Sequence, residues 1–101
     1  MSRNPFVKPL RESTLEKRVG DWCKARDVIY WKFSSPGRAG VPDRILIKNG
    51  KVIFLELKVG RNKPSALQLR HLNILNDEGI AAIWSNDFEE ICAWISEKML
   101  T

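Results

Sequence analysis

The sequence predicts an α/β domain in which helices flank a mixed four-stranded sheet. Asn49-Gly50 lies between two apolar runs and predicts a tight antiparallel hairpin, because both central residues of a type I′ turn need a positive φ. Another short strand precedes this hairpin. A helical segment then joins the hairpin to an apolar strand at residues 80–84, and such a crossover places that strand parallel to the one before the helix.

The composition fits one folded domain with a basic surface. The chain has 101 residues, of which 44% are hydrophobic, and this suits a single modest core. Seventeen Lys and Arg against twelve Asp and Glu give a net charge of +5, which favours nucleic acid over a membrane as partner. The sequence has no pattern of a signal peptide or a membrane span, and we expect a cytoplasmic protein. Cys23 and Cys92 lie on apolar stripes and are expected as buried hydrophobes in a reducing compartment.

The chain is expected to begin with an arm and a helix. Residues 1–12 carry two prolines and three basic side chains without any period, and we expect a basic, flexible arm. A single domain then covers residues 13–101. Ser13 and Glu16 have the spacing of a capping box, which predicts a helix that begins at residue 13.

Three strands and a loop follow this helix. Residues 28–33 predict a strand, and residues 34–42 are rich in Gly, Pro and Ser, which predicts a loop. The hairpin strands are expected over residues 44–48 and 51–59. We expect these three strands to pair antiparallel with their neighbours.

The second half of the chain predicts a helix, the parallel strand and a last helix. Ser65 and Gln68 form a second capping box, and Gly79 fits the helix stop. The inward positions of this helix are expected to be Leu69, Leu72 and Leu75. The last helix is expected to be capped by Asn86 or Asp87 and to bury Phe88, Ile91, Cys92, Ile95 and Met99.

The hairpin register brings charged residues together. If the turn has two residues, Asp43 lies opposite Glu56, where two carboxylates about 5 Å apart repel by roughly 3 kcal/mol at an effective dielectric near 20. A divalent cation between them would relieve this repulsion. Alternation also places Glu56 and Lys58 on the strand face of Val52 and Phe54, so these charges extend an apolar, core-facing row. Such a row indicates a functional site rather than a solvated surface.

The pattern as a whole consists of Pro42-Asp43, then Glu56-x-Lys58, then Gln68 on the next helix, with Glu16 on a preceding helix. It resembles the VRR-NUC branch of the PD-(D/E)XK nucleases. The resemblance implies a restriction-endonuclease-like αβββαβ core, here followed by a C-terminal helix. It also implies hydrolysis of DNA phosphodiester bonds with Mg²⁺ or Mn²⁺, and small members of the family include homodimers that act on four-way junctions.

The same resemblance implies roles for the residues of the pattern. Asp43, Glu56 and the backbone carbonyl of Leu57 would be metal ligands, and carboxylate oxygens are hard ligands that suit Mg²⁺ or Mn²⁺. Lys58 would orient the attacking water or stabilise negative charge as it develops. An arginine in its place could not act as a base.

Glu16 and Gln68 each have two interpretations. Glu16 is either the capping partner of Ser13 or a third carboxylate that reaches the metal. Gln68 is either the capping partner of Ser65 or a catalytic group that bonds to Lys58 or to the attacking water. The resemblance favours the catalytic interpretation for Gln68 and leaves Glu16 open.

Phosphate contacts are expected from basic residues in the loops and at the ends of the hairpin. These residues are Arg38, Arg44, Arg61 and Lys63. We interpret His71 as a surface or packing residue of its helix.

The main hypothesis is a metal-dependent DNA endonuclease. A non-catalytic nucleic-acid-binding module on a nuclease scaffold is the alternative, but such scaffolds usually lose a residue of the set that Asp43, Glu56 and Lys58 complete here. A restriction-type nuclease is also possible, although the chain leaves little room for a base-reading domain. Because breaking both strands of a junction needs two sites, we expect a symmetric homodimer.

Overall fold

The computed structural model describes residues 12–101, with their side chains from residue 14 onward. In this range the elements follow the predicted order. They are α1 (Glu12–Lys24), β1 (Ile29–Lys32), β2 (Arg44–Lys48), β3 (Lys51–Leu57), α2 (Ala66–Asp77), β4 (Ala82–Ser85) and α3 (Phe88–Met99).

The start of the chain is only partly described. Residues 1–11 of the predicted arm lie outside the described residues. Helix α1 begins at Glu12, one residue before the predicted start, and the side chain of Ser13 also lies outside the description. The proposed capping role of Ser13 therefore stays a prediction.

The four strands form one mixed sheet in the order β1-β2-β3-β4. The first two pairings are antiparallel, and β4 runs parallel to β3 after the crossover through α2. The predicted fold class is confirmed. Strand β3 ends at Leu57, two residues earlier than expected. Beyond this end, the backbone N of Lys58 still donates one hydrogen bond to the carbonyl of Ser85 in β4, at 3.1 Å.

The hairpin turn has the geometry that its sequence predicts. The φ angles are 50° at Asn49 and 78° at Gly50, as a type I′ turn requires. Lys48 pairs with Lys51, and the ladder continues to the pair of Arg44 with Leu55. This is the predicted register, and its next step places Asp43 opposite Glu56.

The main core lies on one face of the sheet, beneath α1 and α3. Its buried side chains come from both helices and from the inner strands: Leu15, Val19, Cys23, Leu46, Ile53, Leu55, Leu57, Ile91, Ile95 and Met99. Helix α2 covers the opposite face and is tied to β4, since the Asn76 side chain bonds to the backbone N and O of Ala82 at 3.1 and 2.8 Å. The end of β3 is therefore covered on both faces.

Local signals set the ends of α2 and α3. Ser65 and Gln68 form both bonds of the capping box, and Asp87 caps α3 by accepting from the backbone N of Glu90 at 2.9 Å. Gly79 follows α2 with a φ of 84°, as the stop signal predicts.

One inward position of α2 was predicted incorrectly. Leu69 is 42% exposed, whereas His71 and Leu72 are buried. Gln68, His71, Leu72 and Leu75 have the spacing i, i+3, i+4 and i+7, so they form the inward stripe of α2. Leu69 lies about one quarter-turn away from that stripe.

The cysteines are packed and make no disulfide. Cys23 is buried in the core, and its burial raises the pKa of the thiol to about 12. Cys92 is half-buried. Within the described range, none of the helices is long and apolar enough to cross a membrane.

The Asn49-Gly50 turn generates a test of the hairpin. Gly50→Ala should lower the free energy of unfolding by about 1 kcal/mol, because a side chain at positive φ is strained although nothing lies within 4 Å of the new Cβ. Gly37→Ala is the matched control, since its surroundings are equally open and its φ is not in that region. Urea unfolding measures both, and equal midpoints would contradict the role of the turn.

Candidate active site

One backbone hydrogen bond holds the residue before β2 beside the end of β1. The backbone N of Phe33 donates to the carbonyl of Asp43 at 2.8 Å, which continues the β1–β2 pairing beyond the last ladder pair. Pro42 is buried and Asp43 is half-buried. The Asp43 carboxylate is thus carried by a fixed segment rather than by a loose loop.

Glu56 is the buried acid of the candidate site. It is 4% exposed, on the face of β3 that α2 covers. The Lys58 ammonium lies 3.6 Å from its Oε2, and the Gln68 amide Nε2 lies 3.5 Å from the same oxygen. These contacts are long, as those of catalytic groups often are before a substrate is bound.

Gln68 has the predicted capping role, and its catalytic role stays a prediction, because its amide contacts Glu56 rather than Lys58. Its Oε1 accepts from the backbone N of Ser65 at 2.9 Å, and its Nε2 points to Glu56. The capping box therefore fixes the side chain that contacts the buried acid. A local helix signal and the candidate site share one residue.

Glu16 contacts Arg44, whereas a metal role would need its carboxylate to face Asp43 and Glu56. Its Oε1 is 2.8 Å from the guanidinium of Arg44, whose side chain is 8% exposed. Arg44 pairs with Leu55, so both face the main core under α1, whereas Glu56 faces α2. Residues 12–101 hold no group of three His, Cys, Asp or Glu side chains that could bind a metal ion, and the metal role of Glu16 stays a prediction.

Arg44 also contacts an aromatic ring. Its guanidinium carbon lies 5.4 Å from the centroid of the Tyr30 ring. Burial raises the pKa of the Tyr30 hydroxyl well above its usual range, so this phenol stays neutral. Glu16, Arg44 and Tyr30 form a partly buried polar cluster at the start of β2.

The four predicted phosphate contacts separate into two groups. Arg38, Arg61 and Lys63 are exposed, as contacts to a polyanion require. Arg44 is 6% exposed and points towards α1, so its burial argues against a surface contact. Its direction follows from strand alternation, because the first residue of β2 faces the core side.

The burial of Arg44 was not predicted from the sequence, and for His71 the packing interpretation is the one that the structure supports. Arg44 was predicted to contact phosphate at the surface. Its burial could be inferred only from its pairing with Leu55, a core residue of β3. His71 is 8% exposed and lies three residues after Gln68, one helical turn along the same stripe. That spacing was available in the sequence.

Comparisons with known proteins agree with this architecture. No family model matches the chain. The chain is 45% identical over 62 residues to the "Putative nuclease p44" of Acyrthosiphon pisum secondary endosymbiont phage 1, a match that covers 60% of this chain and 67% of that protein. A solved structure described as a VRR_NUC domain is similar with a TM-score of 0.76 and 26% identity, over 84% of this chain and 94% of that one.

The mixed sheet with its flanking helices and these similarities define the class of the protein as a nuclease with the restriction-endonuclease-like fold. Within that class, the chain belongs to the VRR-NUC family.

The buried ion pair behind the site gives a second test. Glu16→Gln should lower the free energy of unfolding by about 1–3 kcal/mol, because it removes the carboxylate that lies 2.8 Å from the buried Arg44 guanidinium. Asp21→Asn is the control. It breaks the exposed Lys17–Asp21 pair at 2.7 Å and should cost less than about 1 kcal/mol. Equal losses in chemical unfolding would show that Arg44 does not depend on Glu16.

Proposed function

We propose that this protein is a metal-dependent DNA endonuclease that hydrolyses phosphodiester bonds and prefers branched DNA such as four-way junctions. The observation that carries the proposal is Glu56, a carboxylate that is 4% exposed and lies beside the Lys58 ammonium and the Gln68 amide. Burying charged groups at a strand end costs stability, and a chain tolerates that cost most readily where it serves chemistry.

The oxygen donors at the two strand ends fit a hard divalent cation. Asp43, Glu56 and the carbonyl of Leu57 would hold Mg²⁺ or Mn²⁺, and such ions need only one or two carboxylates because they keep several waters. The fit does not require a third acid, and Glu16 would serve as a ligand only after leaving Arg44. When bound, the cation lowers the pKa of a water and offsets negative charge on the scissile phosphate.

Lys58 is suited to the reacting phosphate. Its side chain is 21% exposed, so the ammonium is anchored near Glu56 and still open to a substrate. From there it would orient the attacking water or stabilise the charge that develops on the phosphate oxygens. Gln68 would keep the Glu56 carboxylate in place, since its own position is fixed by the capping box.

DNA is the proposed substrate because exposed cations flank the site residues along the chain. Arg38 precedes Asp43 in the loop, and Arg61 and Lys63 follow Lys58. Contacts from such residues go to phosphates and carry no base information. They are therefore compatible with selection of DNA by its shape, as branched DNA would require.

A homodimer would supply the two sites that a junction needs. Strand β1 is an edge of the sheet, and two of its apolar side chains are exposed, Ile29 at 40% and Trp31 at 59%. An exposed apolar edge supports association with a second copy. A twofold axis would then give two equivalent sites.

Two substitutions test the enzyme and its residues. Asp43→Asn and Lys58→Ala should each reduce cleavage of DNA by at least about 100-fold and leave DNA binding within about threefold, because both remove reacting groups rather than surface cations. Linear, flapped and four-way DNA are incubated with Mg²⁺, Mn²⁺ or a chelator, and cleavage should need the metal and favour the four-way DNA.

Lys51→Ala is the matched control, since Lys51 is an exposed lysine at the other end of the same strand and should keep full activity. Wild-type cleavage by both site variants would overturn the residue assignment. Tight binding without cleavage by the wild-type protein in either metal would support the binding-module alternative instead.

The dimer has its own measurement. Size-exclusion chromatography with light scattering at micromolar concentration should give twice the chain mass of 11.6 kDa. Trp31→Lys should shift the mass towards the monomer, because it places a charge on the exposed edge strand. A wild-type mass of 11.6 kDa would contradict the dimer.

A further inference from the structure

A cavity opens next to the candidate active site, on the sheet face that α2 covers. Its volume is about 280 Å³, and its walls come from the sheet, from α2 and from the loop before β2. The residues that matter here are Phe33, Arg38, Pro42, Phe54, His71 and Ile74.

The strand register places this cavity within one nucleotide of the acids. Phe54 precedes Glu56 by two residues on the same face of β3, a separation of roughly 7 Å. Phe33 is bonded through its backbone N to the carbonyl of Asp43 at 2.8 Å. A nucleotide next to a phosphate at Asp43 and Glu56 would therefore have its base at the cavity mouth.

The walls are almost wholly apolar and suit the faces of a flat ring. Phe33 and Phe54 meet edge to face, with centroids 5.4 Å apart, and present aromatic surface to the cavity. Unstacked bases are held in proteins by aromatic and apolar side chains of this kind. The exposed guanidinium of Arg38 at the loop wall is complementary to the phosphate that such a base would carry.

His71 supplies a second, independent observation. It is 8% exposed, and its Nδ1 is buried without a hydrogen-bond partner among residues 12–101. A buried polar atom without a partner is costly, so the imidazole would gain from turning this atom towards a polar group in the adjoining cavity. The loop also closes tightly on this ring, because a Cβ at Gly40 would lie 3.0 Å from Nδ1.

We propose that this cavity receives one unstacked base of the substrate strand, next to the scissile phosphate. The proposal rests on the proposed function, since it needs a nucleic-acid substrate, and it deepens that function by giving a physical basis for branch preference. Bases at a branch are partly unstacked already, so inserting one into the cavity costs less there than inside a continuous duplex. The apolar walls would contact the faces of the base, and His71, which lines the cavity, would lie beside it.

The single histidine of the chain allows a direct test. The full-length Asp43→Asn protein is titrated with a flapped DNA, and the imidazole signals of His71 are followed by NMR. The same DNA with an abasic site next to the branch is the matched ligand. We expect the His71 signals to shift with the intact DNA only, and we expect about 10-fold weaker binding of the abasic DNA.

Two variants locate the effect in the cavity. Ile74→Trp should fill the space, because Ile74 lines the cavity and is 45% exposed, and should remove both the shift and the preference for the intact base. Leu69→Trp makes a comparable change on the same helix outside the cavity, at a residue that is 42% exposed, and should keep both.

The outcomes separate this proposal from the nuclease proposal. Shifts of His71 with intact DNA support the base site even if the wild-type protein cuts no DNA. Cleavage by the wild-type protein without a His71 shift, equal binding of intact and abasic DNA, or no DNA binding would overturn the base site. A His71 shift that depends on protein concentration without DNA would assign the cavity to a second copy, and would overturn it as well.

Discussion

The pairing of β2 with β3 is the constraint on which the site depends. The Asn49-Gly50 turn allows a two-residue connection, and that connection sets every cross-strand pair up to Arg44 with Leu55. A shift by one residue would move Glu56 to the other face of the strand, away from α2. The chemistry at one end of the hairpin is therefore determined by the geometry of the turn at the other end.

The same alternation divides the charged residues between the two faces of the sheet. Glu56 lies on the face of α2, with Lys58 and Gln68, while Arg44 lies on the face of α1, with Glu16. At the start of β2, the Glu16 carboxylate compensates the charge of the Arg44 guanidinium on the α1 side of the sheet. Since Arg44 directly follows Asp43 in the chain, this buried pair anchors the segment that carries one of the two proposed ligands.

Helix α2 connects the proposed chemistry with the cavity. Gln68 contacts the buried acid, and His71, one turn further on, lines the space next to it. The capping box at Ser65 fixes where the helix begins and therefore which residues face the sheet. The start of α2 thus positions both Gln68, which contacts Glu56, and His71, which lines the proposed base site. Both residues lie on one rigid helix.

The sequence by itself determined the features that depend on neighbouring residues. The hairpin and its register, the capping box of α2 and the order of the elements follow from turn chemistry, cap spacing and periodicity, because these act within a few residues. Only the tertiary structure decided which helix covers each face of the sheet. That choice buried Arg44 against Glu16, exposed Leu69 and enclosed His71, since burial depends on the position of segments far away in the chain. Local patterns cannot specify the contact between Glu16 in α1 and Arg44 at the start of β2, because this contact depends on how the helix packs on the sheet.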